Sequence, residues 1–509
     1  MATSYHKLLA NSLKIAKNKA VKGVLRAKDI SRLHLTRLVA NGWLTPILRG
    51  WYLLKKPIDR EGESTSWYSS FWSFIGIYLS YRFGENYCLS ANDSLAVHLG
   101  STTIPKQLLV MVKKGGSSVV KLPFDTSLMT YQETKAFPKS TEMINGIHVM
   151  SLPMALHRIS AQFFQKNPND AEVALKIVDQ LALSQELLSG SNMAAAGRII
   201  GAYFFIGEKQ KAEQLRESLI AAGYQLEIVN PFTIKEPMLT NYSRIRSPYA
   251  ARISIMWQHM RHAVISIFPK DQGISKNKKS YFARLEKIYV HDAYHSLSIE
   301  GYEVTEQLIQ QIADNKWDPD KSTDDKNQLN AMAAKGYLQA FKAVKQSVER
   351  IFQNENSGKV IKEDLHYWYA ALFSALVKAG ILEAQHLAGY RSHPVYIRNS
   401  KHTPLPPYAL LDAMEAYFGC LMNEPVASVR AILGHFIFVF IHPYMDGNGR
   451  MGRFIMNSLF ASGGFPWTII SVSNRATYFK ALEKASVEGD IKPFAQFVLS
   501  EMNELLNRH

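Results

Sequence analysis

Residues 442–453 read His442-Pro443-Tyr444-Met445-Asp446-Gly447-Asn448-Gly449-Arg450-Met451-Gly452-Arg453, and the apolar run Ala431–Ile441 leads directly into them. The run predicts a helix ending at Ile441, since Pro443 lacks an amide to donate and its ring obstructs a continuing helix. A second helix is expected from Met451 to about Ala461, so the glycine-rich segment is a turn between two helices. Such a turn suits phosphate. Gly447 and Gly449 let the backbone approach an anion, and the amides of the turn converge on one concavity. The second helix offers the positive end of its dipole at the same place. Arg450 and Arg453, three apart on its first turn, bring two guanidiniums to that pocket. Asp446 supplies the hard oxygen ligand that Mg²⁺ prefers. His442, just before the loop, is placed to be a general base near neutral pH.

This stretch resembles the signature of the Fic family, His-Pro-Phe-x-(Asp/Glu)-Gly-Asn-Gly-Arg-x-x-Arg, with Tyr444 where phenylalanine is usual. Gly389-Tyr390-Arg391, Val395–His402 and Pro406-Pro407 resemble the family's flap, a β-hairpin that clamps the target peptide by strand addition through Val395, Tyr396 and Ile397. Arg475–Phe479, Glu488-Gly489-Asp490 and Pro493-Phe494 resemble its closing helices. The resemblance extends from about Tyr249 to the C-terminus and implies an all-α Fic fold with a small β-hairpin flap. It also implies transfer of AMP from ATP to a Ser, Thr or Tyr hydroxyl of a target protein, with release of pyrophosphate. In those terms His442 deprotonates the hydroxyl and Asp446 holds Mg²⁺. The Gly447, Asn448 and Gly449 amides, with the Asn448 side chain, bind phosphate, while Arg450 and Arg453 take the β- and γ-phosphates. Tyr478, Phe479 and Ser486 match adenine contacts, where many members have Tyr-Tyr and Asn.

Further upstream, Ser296-Leu297-Ser298-Ile299-Glu300-Gly301 closes an amphipathic pattern that starts near Phe282. Gly301 can end a helix at positive φ, leaving Glu300 on its last turn, where a carboxylate opposes the helix dipole and gains by meeting a cation. The segment resembles the family's inhibitory motif, (Ser/Thr)-x-x-x-Glu-(Gly/Asn). That resemblance implies that Glu300, supported by Ser296 and Gly301, occupies Arg453 and keeps the γ-phosphate from docking. Family members with this motif can also use the glutamate to remove AMP.

The chain has 509 residues, a net charge of +16 and two cysteines far apart, Cys88 and Cys420. Between Met1 and Arg60 lie eight Lys, five Arg and two Asp, a net of +11, so the other 449 residues carry only +5. A basic head on a nearly neutral body suggests an anionic partner, nucleic acid first, against the alternative of a merely solvated surface. Ser31–Ala40 reads as a compact helix stopped by Asn41-Gly42, and Trp43–Leu54 as a hairpin turning at Leu48-Arg49-Gly50. Together they predict a winged helix-turn-helix over 1–60, with Arg32, His34 and Arg37 on the helix that would read DNA. A mixed α/β region is expected over 61–240, with strands at Leu108–Val112 and Ile147–Ser151. Head and middle together loosely resemble abortive-infection-type antitoxins, and the third segment is 249–509. The uncharged stretch Ser64–Tyr81 alternates an apolar face (Trp67, Phe71, Phe74, Ile75, Tyr78, Leu79) with a serine face, the pattern of a helix on a soluble core. No secretory or membrane segment is read, so the expected place is the cytoplasm. The expected partners are a hydroxyl-bearing protein, the chain itself included, and DNA at the head; homodimerisation stays open. A second functional reading, a DNA-binding transcriptional regulator whose Fic core is a sensor or inert, stands beside the first.

Overall fold

Apolar residues three and four apart among lysines form the first helix, α1 (Ala2–Lys19), in a computed structural model that describes residues 2–55, 65–190, 192–232, 247–317, 325–387 and 389–507. Leu9, Leu13 and Ala16 of α1 pack with Leu25, Ile30, Leu38 and Leu44. Strand β1 (Val24–Arg26) precedes α2 (Arg32–Ala40), which starts where the Ser31 hydroxyl accepts the His34 amide and ends at Asn41. The expected hairpin follows as β2 (Leu44–Leu48) and β3 (Trp51–Leu54), and β1 pairs antiparallel with β3 on its other side. α3 (Thr65–Phe83) buries the six apolar residues expected of it, and Tyr68 as well. They share one core with Val24, Ile47, Trp51 and Leu53 of the three-stranded sheet.

The mixed region holds β4 (Tyr87–Leu89), α4 (Ala91–His98), β5 (Gln107–Val112), β6 (Ser118–Leu122) and β7 (Thr126–Gln132). These four strands form a sheet in the order β4-β5-β7-β6, antiparallel except for β5 with β7. A small hairpin, β8 (Glu142–Ile144) and β9 (Ile147–Val149), follows. Six helices then run to Ala221: α5 (Leu152–Arg158), α6 (Ala161–Lys166), α7 (Pro168–Ile177), α8 (Gln180–Ser189), α9 (Met193–Phe205) and α10 (Lys209–Ala221). Gly201 lies inside α9 and does not interrupt it.

The chain divides into two units, residues Met1–Pro248 with Tyr396–Thr403, and residues Tyr249–Val395 with Pro404–His509. The described secondary structure of the second is helical: α11 (Pro248–Ile267), α12 (Lys278–Ile299), α13 (Glu306–Ala313), α14 (Asp325–Ile351), α15 (Ser357–Lys378), α16 (Leu410–Asn423), α17 (Ala427–Ile441), α18 (Asn448–Ala461), α19 (Arg475–Glu488) and α20 (Lys492–Asn507). Helices α17 and α18 are buried along nearly their whole lengths, as the apolar run before the motif predicts.

The expected flap strand at Val395, Tyr396 and Ile397 is not formed. Among the described residues, 389–406 are irregular. Prolines at 394, 404 and 406 interrupt the amide series that a hairpin needs, and Asn399 is left-handed at φ +57°. Within this stretch, the backbone of residues 401–403 pairs with another segment of the first unit. Thr103 and His402 form an antiparallel bridge, the Thr403 amide donates to Thr102 O at 2.6 Å, and the Ile104 amide donates to Lys401 O at 3.3 Å.

Helices α14 and α15 touch backbone to backbone: a β-carbon on Gly336 would lie 2.0 Å from the Leu372 carbonyl oxygen. Gly336→Ala therefore has to push α15 away. Thermal or denaturant unfolding should show a loss of about 1–3 kcal/mol, the usual range for overpacking a tight contact.

Candidate active site

Helix α17 ends at His442, whose backbone is left-handed at φ +55° and ψ +59°. That conformation is unusual for a residue with a β-carbon, and Pro443 follows it. The His442 Nδ1 lies 3.1 Å from Val439 O; a carbonyl can only accept, so Nδ1 carries the proton and Nε2 keeps its lone pair. Burial, followed by the charge of Arg391, pushes the His442 pKa down to about 4, against the raising effect of its hydrogen bond to Val439. The ring is consequently neutral at pH 7, the state a base requires.

The loop beyond is held by Asn448. Its Oδ1 accepts the Tyr444 amide at 3.0 Å and its Nδ2 donates to Tyr444 O at 2.8 Å. Tyr444 takes the expected place of an aromatic anchor: it is buried and stacked on Tyr369, with 3.8 Å between ring centroids. Gly447 is obligatory on two counts, a φ of +77° and a β-carbon position only 2.8 Å from the Phe373 ring. It caps α18, so the amides of the first turn (Asn448, Gly449 and Arg450) face outward from the helix end. The Asn448 side chain is spent on the loop, so only its backbone amide is left to face an anion.

Both motif arginines are buried, Arg450 at 0% and Arg453 at 4% exposure. Arg450 sits between the rings of Tyr302 and Phe373, at 5.1 and 5.0 Å, and its Nη2 donates to Asp446 Oδ2 at 3.2 Å. Arg450 Nε and Nη1 and Arg453 Nη1 have no hydrogen bond of good geometry. Arg453 Nη2 donates to Glu300 Oε1 at 2.7 Å and to Ser296 O at 2.9 Å, and its Nε donates to Ser296 Oγ at 2.9 Å. Burial works against the charge on Arg453, but Glu300, by its charge and its hydrogen bond, together with Tyr478 and Tyr337, outweighs it, and the pKa rises. Gly301 ends the α12 turn at φ +92°. Glu300 Oε1 would lie 2.3 Å from a β-carbon placed on Gly449, so the carboxylate rests directly against the first turn of α18.

Asp446 is the most open member, its side chain 65% exposed, and its Oδ1 accepts the Gly447 amide at 2.6 Å. No group of three or more His, Cys, Asp or Glu suited to a metal occurs among the described residues. A single open carboxylate fits Mg²⁺, which usually keeps its waters and takes phosphate oxygens as further ligands.

The three residues matched to adenine contacts separate. Tyr478 is a core residue: it is 1% exposed and its hydroxyl is 2.8 Å from His435 Nε2. It therefore presents no open face to a ligand. Phe479 is half-exposed beneath the Arg475 guanidinium, 4.7 Å from its ring centroid, and Ser486 is partly open. In the head, Arg32 is exposed, whereas His34 and Arg37 turn inward to α1. His34 Nδ1 is 2.9 Å from Ser12 Oγ, and Arg37 Nη1 donates to the same oxygen at 2.9 Å. A single serine in α1 thus engages two of the three residues expected to contact DNA, both of which stay half-exposed. Sequence reasoning did not single out Arg391, whose guanidinium lies under the loop. Its only sequence signal is its place in Gly389-Tyr390-Arg391, far from the motif.

Residues 360–460 match the Fic/DOC family. The chain is 30% identical over 244 residues to the protein named protein adenylyltransferase Fic of Culex quinquefasciatus, covering 47% of this chain and 43% of that protein. It is 31% identical over 219 residues to the protein of the same name from Nematostella vectensis, covering 42% of this chain and 47% of that one. A solved structure of Fic-1 (residues 134–508) from C. elegans aligns over 69% of this chain and 97% of its own, at 16% identity and a TM-score of 0.38. The chain carries a Fic domain and is homologous to protein adenylyltransferase Fic, and it spans less than half the length of the curated relatives it matches. No helix among the described residues is long and apolar enough to cross a membrane.

The depressed pKa of His442 has a consequence for stability. Between about pH 4, its folded value, and the ordinary histidine value near 6.5, the unfolded chain binds the extra proton. Stability should therefore rise with pH across that window and lose this contribution as pH falls. Urea unfolding of His442→Asn and wild type between pH 4 and 7 should show a shallower slope in the variant.

Proposed function

We propose that this chain transfers AMP from ATP to a Ser, Thr or Tyr hydroxyl of a protein and is held in check by Glu300. The observation that carries the reading is the convergence on one spot of three groups: the first-turn amides of α18, two buried arginines with unsatisfied N–H groups, and a neutral histidine. Buried donors without partners are costly, and an anion relieves that cost. A polyphosphate supplies both the charge and the number of acceptors.

In this mechanism the triphosphate lies along the start of α18. The backbone amides of Asn448 and Gly449 bind phosphate oxygens, the Gly447 amide being engaged by Asp446 Oδ1, while Arg450 binds the β-phosphate and Arg453 the γ-phosphate. Asp446 would hold Mg²⁺, which neutralises phosphate charge when bound. His442 Nε2 takes the proton of the target hydroxyl as its oxygen attacks the α-phosphorus, and the bond to the pyrophosphate oxygen breaks. Nearly all of the catalysis is then positioning and charge neutralisation, as phosphoryl-type transfer requires. Of the three residues matched to adenine contacts, Phe479 and Ser486 are the ones open on α19 and available to the base.

Glu300 opposes this chemistry in the same place. Its carboxylate lies 2.7 Å from Arg453 Nη2 and against Gly449, where the γ-phosphate would dock. Carboxylate and γ-phosphate then compete for one guanidinium. The same carboxylate could direct water for AMP removal, so transfer and reversal would share the residue. The order α1, β1, a helical turn, α2 and the β2–β3 hairpin supports reading the N-terminal segment as a winged helix-turn-helix. Exposed Lys7, Lys14, Lys17, Lys19, Lys22 and Lys28 favour nucleic acid as its partner, through phosphate rather than base contacts.

Incubation with α-³²P-ATP and a cell lysate tests the transfer. Glu300→Gly should label more protein than wild type and bind ATP more tightly. Arg453→Ala should be slow with or without Glu300, so that the double variant resembles Arg453→Ala, the non-additivity expected of one contact. His442→Ala in the Glu300→Gly protein should lose about 10²–10⁴-fold, the usual cost of losing a general base. Equal labelling by wild type and Glu300→Gly, with unchanged ATP binding, overturns the brake. For the head, duplex DNA binding should weaken steeply with salt and with substitution of the α1 lysines, yet respond little to Arg37→Ala.

A further inference from the structure

Arg391 lies outside the 442–453 motif, yet it holds both carbonyls at the bend where α17 stops. Its Nε donates to His442 O at 2.8 Å, and its backbone amide donates to Pro443 O at 2.9 Å. The rest of the guanidinium is anchored, Nη1 donating to His393 O at 3.0 Å and Nη2 to Leu405 O. The residue is 4% exposed. Its planar fork reaches three carbonyls in fixed directions, which a lysine cannot do.

The bend needs such a hold. A left-handed residue with a β-carbon is strained relative to the right-handed helix, and the carbonyl at a helix end has no partner within the helix. The Arg391 Nε bond satisfies that carbonyl and fixes the orientation of the His442–Pro443 peptide. With the peptide fixed, the ring bond from Nδ1 to Val439 O is set, and with it the direction of Nε2.

We propose that Arg391 is a positioning residue for the catalytic base: it locks the left-handed backbone of His442 and so aims Nε2 at the target hydroxyl. The proposal rests on the reading of His442 as the base. Arg391 also adds positive charge beside the ring, where the other charged groups acting on it are Glu300 and Asp446.

The test uses full-length Glu300→Gly protein carrying Arg391→Gln or Arg391→Lys, assayed for AMP transfer from α-³²P-ATP across pH 4–8. Arg391→Gln should lower kcat on the order of 10²-fold, the effect of a misplacement of about 1 Å, with KM for ATP unchanged. Its acid limb should move to higher pH, because a neutral glutamine no longer opposes the imidazolium. Arg391→Lys restores the charge without the fork, so it should return the acid limb but little of the rate. A role confined to anchoring the surrounding loop predicts that KM, kcat and melting temperature move together with no change in the pH profile, and that result overturns the proposal. A second readout does not depend on activity. In ¹⁵N-histidine-labelled protein, the His442 signal, identified by its loss in His442→Asn, should show the Nδ1–H tautomer in the parent and a mixture in Arg391→Gln. An unchanged tautomer in Arg391→Gln overturns the proposal even if the parent proves inactive, whereas an inactive parent with a changed tautomer counts against AMP transfer alone.

Discussion

Two buried helices that meet at a proline impose the constraint on which the site depends. Because α17 cannot continue through His442-Pro443, the chain must turn inside the core and restart as α18 within five residues. A turn in such a place has unpaired amides and carbonyls on both sides. Asn448 satisfies the inner strand of the loop, Arg391 the outgoing carbonyls, and the amides at the start of α18 are left for an anion. The binding site is the part of that turn which the protein does not complete for itself.

Burying Arg450 and Arg453 beside this opening carries an electrostatic cost that the fold meets in two ways. Arg450 is sandwiched between two aromatic rings and leans on Asp446, an arrangement that tolerates a positive charge without saturating its donors. Arg453 is neutralised by Glu300 and by the end of α12. An uncompensated buried guanidinium would be strongly destabilising, so the resting state is the stable one and any ligand must offer Arg453 at least as much as a carboxylate does. On the proposed function, the contact that stabilises the buried guanidinium is also the one that inhibits.

The motif and the helices around it were legible because each residue there is constrained locally: proline stops a helix, glycine permits a turn, and apolar periodicity marks a buried face. The pairing of Glu300 with Arg453 came from resemblance, since no periodicity links residues 153 positions apart. Long-range competition escaped the reading. The expected hairpin at 395–397 read as a strand because Val-Tyr-Ile favours one, but the partner its neighbours find is Thr102–Ile104. His34 and Arg37 read as DNA contacts because they are cationic on a short helix; Ser12, two dozen residues earlier, claims both. Tyr478 reads as a ligand contact, and its hydroxyl is the partner of a buried histidine. In each case the residue type was informative and its tertiary partner was not in the local pattern. Arg391 is the converse, an arginine with no local signature whose importance is entirely in its partners.

Tyr396–Thr403 belongs by contact to the N-terminal unit although it is encoded deep within the C-terminal half. The domains of this chain are therefore not beads on a string. A fragment cut at Tyr249, the natural place to isolate the helical half, would carry this eight-residue segment with the backbone partners of Lys401, His402 and Thr403 discarded. Their amides and carbonyls would be returned to water or offered to any extended peptide at hand, so the isolated half should differ from the intact chain in how readily it captures passing strands.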